Sequence, residues 1–375
     1  MKRVGIYRKA YPAVSESFIR EQADHMRRYK PTFVLCTQTG EIPFQSVSVS
    51  QGDHLGMRQM LYLLTRSPQL FTLDRLAGLN LLHAHFGPDG VYAMALARRL
   101  KIPFLVTFHG YDITVSRQAA WRSGMPLYYQ LILHERELQQ KAAGFIAVSG
   151  FIHQKLLERG YPEEKIIRHY IGVDTEKFSP RPGATTHRYV LCVGRHTQKK
   201  GIDTLLRAFV QTAKRHPDVE LIQVGTGSMS AELQTLAMEL GIHERVRFLG
   251  AQPHQVVLGL MQGAEVFALP SQTAANGDSE GLPIVFNEAS ACCVPIVSTW
   301  HSGIPEAVLD GKTGFLVPEK DHAALADRLD TLLADPALGT RMGMRGRELV
   351  CEEFDIRKQT AKLEAIYDSF APIAG

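Results

Sequence analysis

Glu280 and Glu288 flank the segment Gly-Leu-Pro-Ile-Val-Phe-Asn, which reads as a polar loop feeding a helix. Pro283 fits the first helical position, where a missing N–H costs nothing. Gly281 permits close approach of a ligand to the backbone. Free amides at such a helix start, with the helix dipole behind them, form an anion site. Helical side chains lean toward the N-terminus, so Glu288, about a turn and a half in, points back toward Glu280. An anion cradle with two carboxylate acceptors beside it suits a ligand carrying both phosphates and hydroxyls, such as a nucleotide sugar. The alternative is a capped helix with two solvated glutamates.

Other loops add to this chemistry. Gly194-Arg195, with Lys200 five residues on, places cations at a strand end, as a diphosphate requires. Gly225-Thr-Gly227 is a weak signal alone. It does not continue into a Gly-x-Gly-x-x-Gly fingerprint, and no Gly-Lys-Ser/Thr phosphate loop occurs, which argues against dehydrogenase and P-loop readings. No Asp-x-Asp loop is placed to hold a metal–diphosphate complex. The diphosphate is therefore expected to be met by Arg195, Lys200 and helix-start amides, with no metal and no cofactor. In the first half, polar clusters at His83/His85, His109–Asp112 and Ser149 all fall at strand ends. One strand-end histidine is ordinary structure; three such clusters in one half-chain point to a ligand cleft.

The elements that must position these residues follow a repeating order. Apolar strand candidates at 4–7, 32–36, 79–83, 103–107, 144–148 and 166–170 alternate with helical patterns, and residues 57–66 and 70–76 read as core helices in preference to a lipid-facing surface. Residues 38–54 read as a loop, with Ser15 as a helix N-cap. After a Pro- and Gly-bearing stretch the series restarts, with strands at 189–193, 219–224, 246–249, 266–269 and 295–298. Three helices close the chain. Strand–helix alternation with continuous apolar strands argues for α/β parallel sheets covered by helices, with sites outside the strands' carboxyl ends. The boundaries read as a first domain over 1–172, a linker over 173–187, a second domain over 188–354, and a terminal helix over 355–375.

Bulk properties agree with a soluble two-domain protein: 375 residues, 45% apolar, 21% charged. No run reaches the roughly 18 apolar residues of a membrane span, and the N-terminus enters a strand with no signal-peptide pattern. Five cysteines without metal-ligand spacing read as reduced and cytosolic. Residues 1–180 hold 23 Lys and Arg against 15 Asp and Glu, while residues 181–375 hold 19 against 23. A basic half beside an acidic half suggests an anionic partner for the first, lipid or a phosphorylated substrate, the alternative being scattered solvated charge. Nucleic acid is not an expected partner.

The second half resembles the retaining nucleotide-sugar glycosyltransferases of family four, which have the GT-B fold. The residues that carry the resemblance are the two glutamates Glu280 and Glu288 with the seven residues between them, Val193-Gly-Arg195 followed by Lys199-Lys-Gly201, and Ile171-Gly-Val-Asp174-Thr-Glu-Lys-Phe178. The first half is similar to the members of bacterial exopolysaccharide assembly, of the colanic-acid type, through Tyr11-Pro-Ala-Val-Ser-Glu-Ser-Phe18, His83-Ala-His-Phe-Gly87 and Thr107-Phe-His-Gly-Tyr-Asp112. The resemblance implies two Rossmann-like domains facing a cleft, with a C-terminal helix crossing back to the first. It implies that Arg195 and Lys200 neutralise the leaving diphosphate and that Glu288 binds the ribose hydroxyls. Glu280 and the amides around Gly281, Leu282 and Pro283 would hold the donor sugar, and His109 would lie near the anomeric carbon. Gly194, Gly225 and Gly227 would line the nucleotide site, and Phe248 to Gly250 would hold the base. Ala10-Tyr-Pro-Ala-Val14 departs from the family's Gly-Gly first loop, so no phosphate contact is carried over there.

The expected reaction is metal-independent hexosyl transfer, with retention, from a UDP- or GDP-linked sugar to a glycan or a lipid-diphosphate-linked saccharide. It would occur in the cytoplasm, at the inner face of an anionic membrane. A nucleotide-sugar epimerase or hydrolase of the same fold, or a non-catalytic binding module, are the alternatives.

Overall fold

The computed structural model describes residues 1–11, 16–50, 56–181 and 187–371. The chain divides into two compact units, residues 1–172 with 356–375, and residues 173–355.

The first unit is built on seven strands: β1 (Lys2–Tyr11), β2 (Tyr29–Gln38), β3 (Ser46–Ser48), β4 (Leu81–His85), β5 (Phe104–Phe108), β6 (Gly144–Ala147) and β7 (Ile166–Arg168). They pair in the order β3-β2-β1-β4-β5-β6-β7, and every pairing is parallel. β4 and β5 are buried along their whole length, as expected for strands covered on both faces. The stretch 38–54, read as a loop, supplies the edge strand β3. Its Ser-Val-Ser sequence is too short and polar to signal a strand; its pairing to Phe33, Val34 and Leu35 makes it one.

The helix Ile356–Phe370 packs on this sheet. Leu363 and Tyr367 join Val4, Tyr29, Leu81, Leu105 and Ile146 in one apolar cluster. Its buried Glu364 accepts the backbone N–H groups of Arg27, Arg28 and Tyr29 at 2.7–3.0 Å. The chain passes between units twice at tightly fixed points. At Gly172 a Cβ would stand 2.4 Å from Ile356 Cα, so only glycine fits. In the second unit Val173 bridges Asp355, and Phe178 is fully buried. Residues 173–181, read as linker, are therefore pinned, with Arg347 bonded to the carbonyls of Thr175 and Phe178.

The expectation for residues 57–76 is corrected. Phe71 and Leu76 are core, but the helix Met57–Thr65 buries only Tyr62, whose hydroxyl meets that of Tyr7 at 2.7 Å. Met57, Met60, Leu61 and Leu64 are 48–72% exposed. An amphipathic pattern shows that two faces differ, not which one turns inward; the Tyr62 anchor decides it here. Ser15 lies outside the described residues, and Glu16 precedes the helix Ser17–Asp24.

The second unit has six parallel strands: β8 (Arg188–Val193), β9 (Val219–Val224), β10 (Val246–Phe248), β11 (Val266–Ala268), β12 (Ile296–Thr299) and β13 (Gly314–Val317). Their order is β10-β9-β8-β11-β12-β13. The loops after β8, β9, β11, β12 and β13 all leave carboxyl ends on one edge.

Candidate nucleotide-sugar site

Lys200 and Glu280 meet at that edge, Nζ 2.9 Å from Oε1, with both side chains nearly buried. Lys200 ends the turn Gln198–Lys200 after β8, and its stem crosses Gly194, where a Cβ would lie 3.5 Å from its Cδ. Glu280 ends the loop before the helix Ile284–Ala291. Burial alone would raise its pKa, but Lys200 and then Lys199 hold it down to about 2. Lys199 is itself paired with Asp278 at 2.9 Å. Glu280 Oε1 is engaged by the Lys200 ammonium, and a carboxylate's remaining lone pairs can still accept a ligand hydroxyl.

Arg195 is exposed just past β8, its guanidinium without an ion-pair or hydrogen-bond partner among the described residues. A free cation beside a paired one is what an incoming diphosphate can recruit without breaking existing bonds. Pro283 is the N-cap of the helix rather than its first residue, because its ψ of 118° is extended; the helix starts at Ile284. The amides of Gly281, Leu282, Ile284 and Val285 have no partner among the described residues, so they are free to receive an anion.

Glu288 lies one turn further. Its Oε1 is 3.1 Å from His254 Nε2, and His254 Nδ1 accepts from Lys177 at 2.8 Å. His254 thus holds Glu288 in place. Nothing in the spacing of His254, 34 positions earlier in the chain, could have announced it.

The glycines act on neighbouring backbone. Gly225 has φ +136°, and a Cβ there would stand 2.1 Å from Gly194 O. Its N–H bonds Gly250 O at 2.8 Å. Gly194, Gly225, Gly227 and Gly250 therefore press the loops after β8, β9 and β10 together and shape the edge. Phe248 packs its ring edge-on to His196, 6.0 Å between centroids.

His109 belongs to the first unit. Its Nε2 is 3.1 Å from His85 Nδ1, and the rings stack at 5.3 Å. Asp112 accepts from the N–H groups of Gly87, His109 and Gly110 and so fixes the turn carrying His109. Burial pushes His109 and His85 well below the usual histidine range, so both are neutral at pH 7. His83 lies between Thr107 (2.6 Å) and Tyr367 (2.7 Å), buried, with both ring nitrogens engaged. Ser149 caps the helix Gly150–Glu158. Among the described residues no group of three or more His, Cys, Asp or Glu is arranged to hold a metal.

Residues 174–349 match the sequence profile described as "Glycosyl transferases group 1", and residues 15–177 match "Glycosyltransferase Family 4". The chain is 37% identical over 251 residues, 66% of its length, to an Escherichia coli protein, WcaL, whose name assigns it to colanic acid biosynthesis; the match covers 59% of that protein. It is 40% identical over 203 residues to a GDP-mannose-dependent alpha-(1-6)-phosphatidylinositol monomannoside mannosyltransferase of Mycolicibacterium smegmatis, covering 51% of this chain and 53% of that one. The chain thus spans a little over half the length of these two relatives. An amylovoran biosynthesis glycosyltransferase, AmsK, of Erwinia amylovora is 32% identical, over 76% of this chain and 69% of its own length. The fold is similar to that of Anabaena HepE, solved in complex with UDP and glucose, with a TM-score of 0.79 at 19% identity, covering 98% of this chain and all of that one. The chain belongs to the family-four, group 1 glycosyltransferases and has their GT-B fold.

Proposed function

We propose that the chain transfers a hexosyl unit from a UDP- or GDP-linked sugar to a hydroxyl of a glycan or lipid-diphosphate-linked saccharide in bacterial surface polysaccharide synthesis. Configuration is retained and no metal is needed. One observation carries this reading: the buried Lys200–Glu280 pair beside free Arg195 and the unbonded amides at the start of the helix Ile284–Ala291. Departure of a diphosphate is the hard step, and fixed cations and amides stabilise charge where it grows. Glu280, held ionised, accepts a donor-sugar hydroxyl. Glu288 accepts the ribose diol, and the family pattern assigns a donor contact to His109, which is neutral in the first unit. Retention follows the family pattern that Glu280 and Glu288 repeat; unlike a glycosidase pair, neither need be a nucleophile. The test is nucleotide release from a panel of nucleotide sugars in EDTA, with and without membrane extract. Release that requires the extract is expected. Release without any acceptor favours a hydrolase, absence of turnover with tight binding favours a binding module, and rescue by magnesium or manganese contradicts metal independence.

Glu288→Ala removes a charge-assisted hydrogen bond of roughly 1.5–3 kcal/mol. Affinity for UDP or GDP is expected to fall about ten- to a hundredfold by calorimetry with the fold intact. Unchanged affinity removes Glu288 from the site.

The reading extends to the membrane. No helix among the described residues is long and apolar enough to cross one. The exposed row Met57, Met60, Leu61 and Leu64 follows the i, i+3, i+4, i+7 rule of one helix face. The chain runs on into Arg66, which with Arg98, Lys141 and one acid, Glu137, lines a pocket of about 340 Å³ beside Met94 and Phe104. These three cations have no ion-pair partner among the described residues. An apolar ridge beside free cations supports peripheral docking on anionic lipid, each cation contributing about 1 kcal/mol. The full chain is expected to sediment with phosphatidylglycerol-containing vesicles at low salt. It should stay in solution with phosphatidylcholine alone, in about 1 M salt, and when Met60 and Leu64 are both aspartate. Equal sedimentation of wild type and variant contradicts this docking.

A further inference from the structure

His301 lies in the loop after β12, 2% exposed, and nothing in the sequence pattern singled it out. The N–H of Glu280 points to its Nε2 at 3.2 Å, and its Nδ1 stands 2.6 Å from Glu319 Oε1. A backbone N–H can only donate, so Nε2 must be the unprotonated acceptor. The ring proton then sits on Nδ1 and is donated to Glu319. Glu319 in turn accepts from Thr273, at N (2.9 Å) and Oγ1 (3.3 Å). Burial would raise the Glu319 pKa, but these bonds and His301 hold it below the usual range, so it stays ionised. Three loops meet through His301 and Glu319: the loop after β11, which carries both Thr273 and Glu280, the loop after β12 and the loop after β13. The loop bearing His301 is fixed by its own backbone, Trp300 N to Val317 O at 2.9 Å and His301 N to Thr299 O at 2.8 Å.

We propose that His301, locked in its Nδ1–H tautomer by Glu319, is a positioning residue that holds the Glu280 turn so that its carboxylate stays on Lys200 and open to the donor sugar. This rests on the transferase reading of the Glu280 site, which it deepens by naming what orients the sugar-holding carboxylate. An imidazole whose tautomer is fixed by a carboxylate is a rigid support. A protonated ring would turn a donor against the Glu280 N–H and lose the bond. The groups that face it are Glu319, Glu280 and, across Glu280, Lys200 and Lys199.

Two measurements on the full chain test the proposal. The first needs no ligand. Nitrogen-15 spectra of histidine-labelled protein at pH 7.5, with the His301 signal assigned by its loss in His301→Gln, are expected to give the Nδ1–H tautomer. The Nε2–H tautomer or the cation at that pH overturns the proposal. The second separates positioning from mere folding. In glutamine, Oε1 can reach the place of Nε2 and accept the Glu280 N–H. In asparagine, the amide reaches only the place of Nδ1 and Glu319. His301→Gln is therefore expected to bind UDP-glucose or GDP-mannose within about fivefold of wild type, whichever the wild type prefers. His301→Asn and His301→Ala should lose tenfold or more for the nucleotide sugar while binding UDP or GDP alone as wild type does. Equal loss in all three variants, or matching loss for nucleotide and nucleotide sugar, overturns it. If wild type binds nucleotide but gains nothing from the sugar, the transferase reading of the site fails, and the tautomer still decides the local geometry.

Discussion

Lys200→Ala will lower the rate of sugar transfer by about a hundred- to a thousandfold and will destabilise the second unit. Lys200 is the partner of buried Glu280. Removing one member of a buried pair leaves the other charge uncompensated, a cost of about 3–5 kcal/mol. Burial, now outweighed by Lys200 together with Lys199 and His301, will then drive the Glu280 pKa up from about 2. Loss of the cation also removes charge stabilisation at the leaving group, where one donor is worth about 10² to 10³ in rate. Urea titration and kcat/KM on the same preparation separate the two effects. Arg195→Ala is the control. Arg195 is exposed and unpaired, so transfer should fall without loss of stability. A Lys200→Ala protein with wild-type transfer puts the pair outside the chemistry.

Mild acid will open the first unit before the second. His83, His85, His109 and His169 are buried there, and burial lowers all four; His83 reaches about 3 and His169 about 4. In the unfolded chain each takes a proton near pH 6.5, so below that pH the unfolded state holds more protons. Stability is then lost as pH falls, at about 1.4 kcal/mol per pH unit for each histidine. Asp89 and Asp112 act in the opposite sense. Burial raises both to about 6, so the folded state takes up their protons first and offsets two of the four. The net loss between pH 7 and pH 5 is roughly 3–5 kcal/mol, a large part of an ordinary domain's stability. In the second unit the depressed Glu280 keeps its contribution until pH falls below its unfolded value of about 4.3. Hydrogen exchange at pH 5, corrected for intrinsic rates, should show lost protection in β4 and β5 while β8 and β9 keep theirs. Uniform protection, or earlier loss in β8 and β9, contradicts the assignment of these histidines as buried and neutral.

The parallel sheets are legible because their strands are short and mostly apolar: the sequence pattern matches 219–224 to the residue, despite Glu220 and Gln223, and 144–148 and 189–193 nearly so. Local sequence decides such elements. It does not decide which face of the helix Met57–Thr65 turns inward, since that depends on Tyr62 meeting Tyr7 from 55 positions away. Lys200 and Glu280 are both legible as loop residues on one sheet edge, but their pairing appears only in the structure. The supports of the site were illegible for the same reason as the helix face. His254 reaches Glu288 over 34 positions, and His301 reaches Glu280 over 21 and Glu319 over 18. His301 is a lone histidine in a loop and His254 opens the helix His254–Gly263; lone histidines elsewhere in this chain mark plain structure, as at His169 bonded to Gln359 O. The glycines have a packing reason that residue type does not show. Gly225 and Gly227 suggest a ligand by type, yet the atoms that exclude a Cβ are the backbone of Gly194 and His196.

The central claim is that a hexosyl unit leaves a nucleotide sugar and is joined to an acceptor hydroxyl. Mass spectrometry of lipid-linked saccharides from membrane extract, incubated with the full chain and each of UDP-glucose and GDP-mannose in EDTA, tests it most directly. The account predicts an acceptor species heavier by one hexose with one of the two donors, absent with Lys200→Ala. Nucleotide released with free hexose and no heavier acceptor, in the same incubation, would contradict it.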